Sequence, residues 1–225
     1  MPGRYPPLID GQVYHVFNRG IAHKDTFLSL KDYGRANLTL GYYQSGRQSV
    51  KLSRYLTISE EQKQRFLSEL QSNNRTDLVD VYSYCLMPNH FHLLLRQNTD
   101  NGISRFIGNF QNSYTRYFNV RHDRDGSLFL DQFKAVHIST DEELVHVSRY
   151  IHLNPYTSFL VKTIEQLDQY PWSSLPTYLN GKESFIKTEF IKSFFAGKYS
   201  YAQFVHDQTD YQRQLDAIYK HTVFE

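Results

Sequence analysis

Apolar and polar positions divide the chain into stretches typical of strands and stretches typical of helices. Alternating or β-rich runs predict strands over residues 12–19, 78–87, 90–96 and 133–138. Apolar positions at helical spacing predict helices over residues 30–43, 59–70, 102–119 and 141–154. The short connection between the second and third strands indicates an antiparallel hairpin.

Local signals predict where two of these helices begin and where one ends. Ser59, with Gln62 three residues later, has the pattern of a capping box. Thr140 is predicted to cap the last helix. We expect that helix to end at Pro155, because the residue before a proline is disfavoured in the α region. Residues 44–57 are polar and basic and resemble a loop or arm.

The order of the elements predicts an α+β fold. Strand, helix, strand, strand, helix, strand is the ferredoxin-like βαββαβ order, here with one more helix inserted before the second strand. We expect an antiparallel sheet with helices, a further helix that carries Tyr150, and a helical C-terminal extension. The predicted division is a domain over residues 1–180, with an inserted arm and helix at about 44–76, and an extension over residues 181–225.

The amino-acid composition excludes several classes of protein and several kinds of site. The 225 residues are 40% hydrophobic and 21% charged, which is ordinary for a globular chain and rules out disordered and fibrous proteins. No apolar run approaches the roughly 18 residues of a membrane span, and no secretory signal is visible at the start. The one cysteine, Cys85, excludes an internal disulfide and a CxxC zinc site. A reducing cytoplasm is the expected setting.

Charge is distributed unevenly along the chain. The net charge is only +2, from 25 basic and 23 acidic side chains. Residues 1–56 nevertheless carry 8 basic and 3 acidic side chains, whereas residues 141–225 carry 8 and 11. A basic face in the N-terminal part could meet the phosphates of a nucleic acid. Chance scatter over a solvated surface is the alternative.

The sharpest candidate chemistry is the sequence His90-Phe91-His92 in the third predicted strand. Alternate residues of a strand share a face, so both imidazoles project to one side while Phe91 projects to the other and can pack under a helix. Two imidazoles at this spacing can hold one metal ion. The alternative is a pair of structural histidines.

A second candidate lies near the end of the last predicted helix. Tyr150 and Asn154 are four residues apart and therefore share a helix face. A tyrosine can act as a nucleophile, but an ordinary pKa near 10 means that the phenol needs help at neutral pH. A metal ion that polarises a target phosphate reduces that demand. The alternative is that Tyr150 is a core aromatic and Asn154 a helix C-cap.

Two longer strings around these residues carry a family resemblance. MPNHFHLLL at 87–95 and SRYIHLNP at 148–155 resemble the HUH single-tyrosine transposases, and most closely the REP-associated tyrosine transposases of bacteria. Three further segments match in the same order, YHVFNRG at 14–20, YTRYFNVRH at 114–122 and YPWSS at 170–174. The resemblance spans about residues 12–180.

The resemblance implies an enzyme that cleaves and rejoins single-stranded or hairpin DNA, with REP-like palindromes as the substrate. Mg²⁺ or Mn²⁺ would be held by His90, His92 and Asn154. Tyr150 would attack the scissile phosphate and leave a 5′-phosphotyrosine and a free 3′-hydroxyl. The resemblance also implies a bacterial cytoplasmic protein associated with the nucleoid. It favours a monomer, although related branches form dimers.

Further family-like residues are expected to contact DNA near this site or along a neighbouring helix. They are His15, Arg19, Tyr114, Arg116, Tyr117 and Arg121. For His15 and Arg19 the alternative is a packing role at the strand edge. For the other four it is helix packing of the tyrosines and a solvated face for the arginines. His152 points to a different helix face from Tyr150 and is not expected to be a ligand, whereas His146 shares the face of Tyr150 and is a weaker candidate.

Two other functions stay open at this point. One is a domesticated DNA-binding protein without nuclease activity, which the intact histidines and tyrosine argue against. The other is an unrelated metal-dependent phosphoesterase, which should carry further clusters of Asp, Glu and His. No cluster of comparable strength is visible in the sequence.

Overall fold

A four-stranded antiparallel sheet forms the centre of the computed structural model. The structure describes residues 7–46, 48, 50–72, 77–181, 184–195 and 200–207. The strands are β1 (Val13–Arg19), β2 (Val79–Met87), β3 (His90–Gln97) and β4 (Lys134–Ile138). Their order in the sheet is β2-β3-β1-β4, and each strand lies within one residue of its predicted bounds. The predicted α+β fold with a ferredoxin-like core is therefore confirmed.

Two long helices cover one face of the sheet. They are α1 (Leu30–Tyr43) and α4 (Gly102–Arg121). Phe91 of β3 packs edge-on against Phe110 of α4, with the ring centroids 5.2 Å apart. Tyr14 and Val16 of β1 are buried on this same face, because they alternate with the residues that point to the other side.

The arm between α1 and β2 differs from its prediction. Residues 44–57 contain a short helix, α2 (Leu52–Tyr55), where a loop was expected. Leu52 is fully buried and its backbone N–H donates to the Tyr43 hydroxyl at 3.2 Å, so tertiary packing holds this turn of helix. The following helix, α3 (Glu60–Ser72), begins as predicted, because the backbone and side chains of Ser59 and Gln62 bond reciprocally at 3.1 and 3.3 Å.

The other face of the sheet carries α5 (Asp141–Thr157). The Thr140 hydroxyl caps it by accepting from the Glu143 N–H at 3.1 Å, as predicted. The predicted end at Pro155 is wrong, because the helix continues through the proline to Thr157. Every residue from 151 to 157 is buried. Packing of this last turn therefore outweighs the one backbone hydrogen bond that a proline removes.

Four short helices follow on the C-terminal side. They are α6 (Ile164–Asp168), α7 (Leu175–Asn180), α8 (Thr188–Lys192) and α9 (Tyr201–His206). The described part of the predicted extension contacts the core: Ile186 bridges to Val81 of β2, and Phe204 of α9 lies under the Arg149 guanidinium of α5 at 4.2 Å. The boundary at residue 180 stays a prediction, and residues 208–225 lie outside the described ranges. No helix within those ranges is long and apolar enough to cross a membrane.

Gly20 ends β1 because the chain passes too close for any side chain. A Cβ atom at this position would lie 2.2 Å from the Lys24 carbonyl oxygen. The Gly20 N–H donates to the Asn89 carbonyl oxygen at 2.7 Å, which ties the end of β1 to the turn between β2 and β3. Gly20 therefore fixes the end of β1 beside His90.

Candidate active site

The register of the sheet gathers the predicted polar residues on the face that α5 covers. Across β1 and β3, Phe17 pairs with His92, Arg19 pairs with His90, and His15 pairs with Leu94. Paired residues of neighbouring strands point to the same side, and alternate residues of one strand do so too. His15 and Arg19 therefore share a face with both histidines of the HxH sequence, as the strand pattern predicts for His90 and His92.

Tyr150 of α5 lies directly against this histidine cluster. Its ring centroid is 5.6 Å from that of His92 and 5.9 Å from that of His15, with both contacts edge-on. The rings of His90 and His92 are 5.0 Å apart and perpendicular to each other. Residues that are up to 135 positions apart in the chain thus form one compact group.

His92 has one ring nitrogen engaged and one without a partner. Its Nδ1 lies 2.9 Å from Nε2 of His15, and the two rings are stacked. Its Nε2 is buried and has no hydrogen-bond partner in the described part of the chain. Burial lowers the pKa of His92 well below its ordinary value, helped by His90 and His15 nearby. Burial also lowers the pKa of His15 to about 4, so both imidazoles are neutral near pH 7.

His90 is held by the residue before it. Its Nδ1 lies 2.6 Å from the Asn89 side-chain oxygen, while the Asn89 side-chain nitrogen donates to the His23 carbonyl oxygen at 3.2 Å. The second bond fixes the orientation of the amide, so that its oxygen faces the ring and Nδ1 of His90 must be the donor. Nε2 of His90 then carries the lone pair. Sequence analysis missed Asn89, although its place in the turn beside His90 was a usable signal.

Asn154 presents its amide oxygen rather than its nitrogen. The side chain is only 7% exposed, and its nitrogen donates to the Tyr150 carbonyl oxygen at 2.9 Å, one helical turn earlier. The oxygen is the end of the amide that could meet a cation. Asn154 is therefore placed beside Tyr150, as its spacing in the sequence predicts.

These residues fit a divalent cation. The buried, unpartnered Nε2 of His92 is the observation that carries the fit, because a metal ion would supply the partner it lacks. Within the described ranges no three residues of the types His, Cys, Asp and Glu cluster as a metal site, so an oxygen from Asn154 would be needed. Burial raises the pKa of the Cys85 thiol, which pairs with His92 across β2 and β3 and stays protonated.

Sequence analysis also missed Lys134. Strand β4 pairs with β1 so that Lys134 lies opposite Phe17 and Val136 opposite His15, and both β4 residues are exposed. A small cavity of about 70 Å³ beside His90 is bounded by residues of β1, β4 and the segment before β4, namely Phe17, Asn18, Arg19, Leu130, Gln132 and Lys134. Lys134 belongs to none of the sequence motifs. Its charge lies next to Arg19 because of the register in which β4 pairs with β1.

The predicted DNA-contacting residues of α4 lie elsewhere. Tyr114 is fully buried and its hydroxyl donates to the Thr26 carbonyl oxygen at 2.6 Å, which leaves no ring face for a base. Tyr117, Arg116 and Arg121 line an open groove of about 1080 Å³ between α4 and the arm. Since α4 covers the opposite face of the sheet from α5, this groove is on the other side of the molecule from Tyr150. Arg121 is partly neutralised there by Asp32, with Nε and Oδ1 3.3 Å apart.

The two other histidines of α5 make hydrogen bonds to other residues. Both ring nitrogens of His152 are engaged at 2.7 Å, one by the Tyr201 hydroxyl and one by the Ser174 hydroxyl. This agrees with the expectation that His152 faces away from Tyr150. His146, the weaker candidate, has its Nδ1 2.7 Å from the Arg149 guanidinium.

The family model described as IS200-like transposase matches residues 49–154. That segment contains His90, His92, Tyr150 and Asn154 in the arrangement described above. Residues 49–154 are therefore similar to the IS200-like transposases. The resemblance indicated by the sequence motifs is thus confirmed.

The fold of the chain also matches a solved structure. A REP-associated tyrosine transposase, solved bound to a REP hairpin, superposes with a TM-score of 0.54 at 12% identity. The match covers 82% of this chain and 90% of the other. At this identity the likeness concerns the fold alone. No curated protein is similar enough to be matched.

Proposed function

We propose that this protein is a transposase that cleaves and rejoins single-stranded or hairpin DNA, with Tyr150 as the nucleophile. The single observation that carries the proposal is the contact of Tyr150 with His92, whose buried Nε2 lacks a partner among the described residues. Such an arrangement suits phosphoryl transfer, where a nucleophile must stand beside a group that can hold a cation.

The cation would be Mg²⁺ or Mn²⁺, held by Nε2 of His90, Nε2 of His92 and the amide oxygen of Asn154. When bound, it would neutralise charge that develops on the phosphoryl oxygens. Neutral imidazoles and an amide leave nearly the full positive charge of the ion available to the phosphate. His ligands are unusual for hard cations, so we expect weak binding in the absence of DNA.

The proposed step exchanges one phosphate ester for another. The Tyr150 phenolic oxygen attacks the scissile phosphorus, gives up its proton, and forms a bond to the 5′-phosphate. The bond between phosphorus and the 3′-oxygen breaks, and the leaving oxygen takes a proton to become a 3′-hydroxyl. Because the phosphotyrosine retains the ester, a 3′-hydroxyl from another strand can reverse the step and join new ends.

The open part of the sheet gives the DNA strand a path past Tyr150. Arg19 and Lys134 place two cations beside His90, and Phe17 adds an aromatic ring. These residue types bind the backbone and bases of single-stranded DNA. His15, packed against Tyr150 and His92, faces inward toward the histidines rather than along this path.

The α4 groove would contact a different part of the same DNA. Arg116 and Arg121 line it on the opposite side of the sheet, so they cannot meet the nucleotides at Tyr150. A hairpin stem or a flanking strand is long enough to reach both places. The structural neighbour is bound to a REP hairpin, which supports a hairpin as the substrate class. The REP-associated resemblance supports a location in the bacterial cytoplasm, and it favours a monomer.

The test is the formation of a covalent protein–DNA adduct. Wild-type protein, Tyr150→Phe and Tyr156→Phe are incubated with Mn²⁺ and a single-stranded hairpin DNA labelled at either end. We expect an adduct that carries the 3′ label, and a free fragment that carries the 5′ label, with wild type and with Tyr156→Phe. Tyr156→Phe changes the same residue type on the same helix and is the matched control.

Two results would count against the proposal in different ways. If Tyr150→Phe cleaves as well as wild type, another group is the nucleophile. If wild type binds hairpins but forms no adduct across a range of hairpin sequences, the chain is a DNA-binding protein without nuclease activity.

A further inference from the structure

We infer that His15 is a positioning residue that holds His92 in the tautomer with Nε2 unprotonated and directed at the cation. His15 lies on a different strand from both proposed histidine ligands, and its Nε2 faces Nδ1 of His92 at 2.9 Å. This role rests on the proposed function, because it concerns the cation that Tyr150 would use. It can nevertheless be tested on the free protein.

The geometry allows two proton arrangements between the rings. Nε2 of His15 and Nδ1 of His92 are 2.9 Å apart, so one nitrogen donates and the other accepts. In the first arrangement His92 donates from Nδ1, and its Nε2 carries a lone pair. In the second His15 donates, and Nε2 of His92 carries a hydrogen.

Burial of Nε2 of His92 favours the first of these two proton arrangements. Nε2 of His92 is sealed in the protein with no acceptor among the described residues, so a hydrogen there would be an unpaired buried donor. A lone pair at the same place can bind a cation. His15 is only partly buried, so water can accept the proton on its other nitrogen in the first arrangement. Only the first arrangement makes His92 a ligand.

The other histidine ligand provides an internal comparison. Nδ1 of His90 faces the side-chain oxygen of Asn89, which can only accept, so His90 also carries its proton on Nδ1. Both rings of the HxH sequence would then present Nε2, each fixed by a separate acceptor. In metal sites the hydrogen bond on one ring nitrogen commonly sets which nitrogen binds the ion.

The surroundings of His15 keep its ring in place. It packs against Phe17 at 5.0 Å, against His92 at 5.1 Å, and edge-on to Tyr150 at 5.9 Å between ring centroids. An aromatic hydrocarbon at this position would preserve these contacts and remove only the acceptor. His15→Phe therefore separates the hydrogen bond from the packing.

The experiment reads the tautomer and the metal affinity without DNA. Wild type, His15→Phe, His15→Gln and His137→Phe are labelled with ¹⁵N, and the imidazole nitrogens of His92 are assigned by NMR in metal-free protein. Mn²⁺ affinity is measured by calorimetry on the same samples. His15→Gln can place an amide oxygen where Nε2 of His15 stands, and His137→Phe is the matched control on the exposed strand β4.

We expect wild-type His92 to carry its proton on Nδ1. His15→Phe should lose this single tautomer and bind Mn²⁺ about 10 to 100 times more weakly, while His15→Gln restores both and His137→Phe changes neither. A proton on Nε2 of wild-type His92, or an unchanged tautomer and affinity in His15→Phe, would overturn the inference. Should His15→Phe fail to fold, the wild-type tautomer and His15→Gln still decide the question.

These outcomes are distinct from the test of Tyr150. If wild type forms the DNA adduct and His15→Phe leaves the tautomer and the affinity unchanged, the proposed function stands and the role of His15 falls. If the tautomer and the Mn²⁺ affinity depend on His15 but no adduct forms, the role of His15 stands and the nuclease proposal falls.

Discussion

The helix that carries Tyr150 depends on one hydroxyl of α9. The Tyr201 hydroxyl lies 2.7 Å from the Ser148 hydroxyl and 2.7 Å from Nδ1 of His152, and all three side chains are buried. Tyr201→Phe keeps the ring and deletes this hydroxyl. Both partners on α5 then lose a hydrogen bond in a place that water does not reach.

The expected cost follows from those two groups. A buried polar group left without its partner costs about 1–3 kcal/mol, so the free energy of unfolding should fall by roughly 2–5 kcal/mol. The Ser148 hydroxyl can turn toward a backbone carbonyl of its own helix, which favours the lower end of this range. At about 2–4 °C for each kcal/mol in a chain of this size, Tm should fall by about 4–20 °C.

Urea unfolding and calorimetry of wild type, Tyr201→Phe, Ser148→Ala and the double variant would measure the effect. Because the two hydroxyls are partners, the double variant should lose less than the sum of the single losses, by about 0.5–3 kcal/mol. Tyr178→Phe removes a neighbouring hydroxyl that donates to the Tyr82 carbonyl oxygen at 2.7 Å, and should cost about 1–3 kcal/mol. An unchanged Tm in Tyr201→Phe would show that its hydroxyl does not hold α9 to α5.

Three further predictions concern pH, DNA binding and the end of β1. Burial lowers the pKa of His152 from 6.5 to about 3 in the folded protein. As the pH is lowered below 6.5, His152 is protonated in the unfolded chain but not yet in the folded protein, so the free energy of unfolding decreases. At pH 4.5 this one group should cost about 2.5 kcal/mol relative to pH 7, and equal urea midpoints at both pH values would refute it. Lys134→Ala should weaken single-stranded DNA binding and lower its salt slope by about 1, in fluorescence anisotropy, whereas Lys162→Ala should not. Gly20→Ala forces a Cβ against the Lys24 carbonyl and should cost about 1–3 kcal/mol by thermal unfolding; an unchanged Tm would mean that the chain can open there at no cost.

The sequence determined most of the secondary structure, because its signals are local. Alternation located the four strands, helical spacing located α1 and α4, and the reciprocal bonds of Ser59 and Gln62 were readable from a spacing of three residues. The same local geometry put His90 and His92 on one face of a strand, and Tyr150 beside Asn154 on a helix. Each of these inferences needs only the period of one element.

Local rules failed where burial competed with them. Pro155 lies inside α5 because the whole last turn of the helix is buried. This burial cannot be predicted from the residues next to the proline. Tyr114 has the composition of a stacking residue, yet it is sealed between α4 and the segment before α1. In both cases the observed conformation depends on packing against residues that are distant in the chain.

Only the tertiary structure decided which residues share the site. The pairing register of β1 with β3 and β4 sets His15 against His92, and Lys134 beside Arg19, and a shift of one residue would send these side chains to the opposite face. The packing of α5 across the sheet then brings Tyr150 to the histidines. Periodicity along one element fixes the direction of its own side chains, whereas the register between elements is set by the complete core.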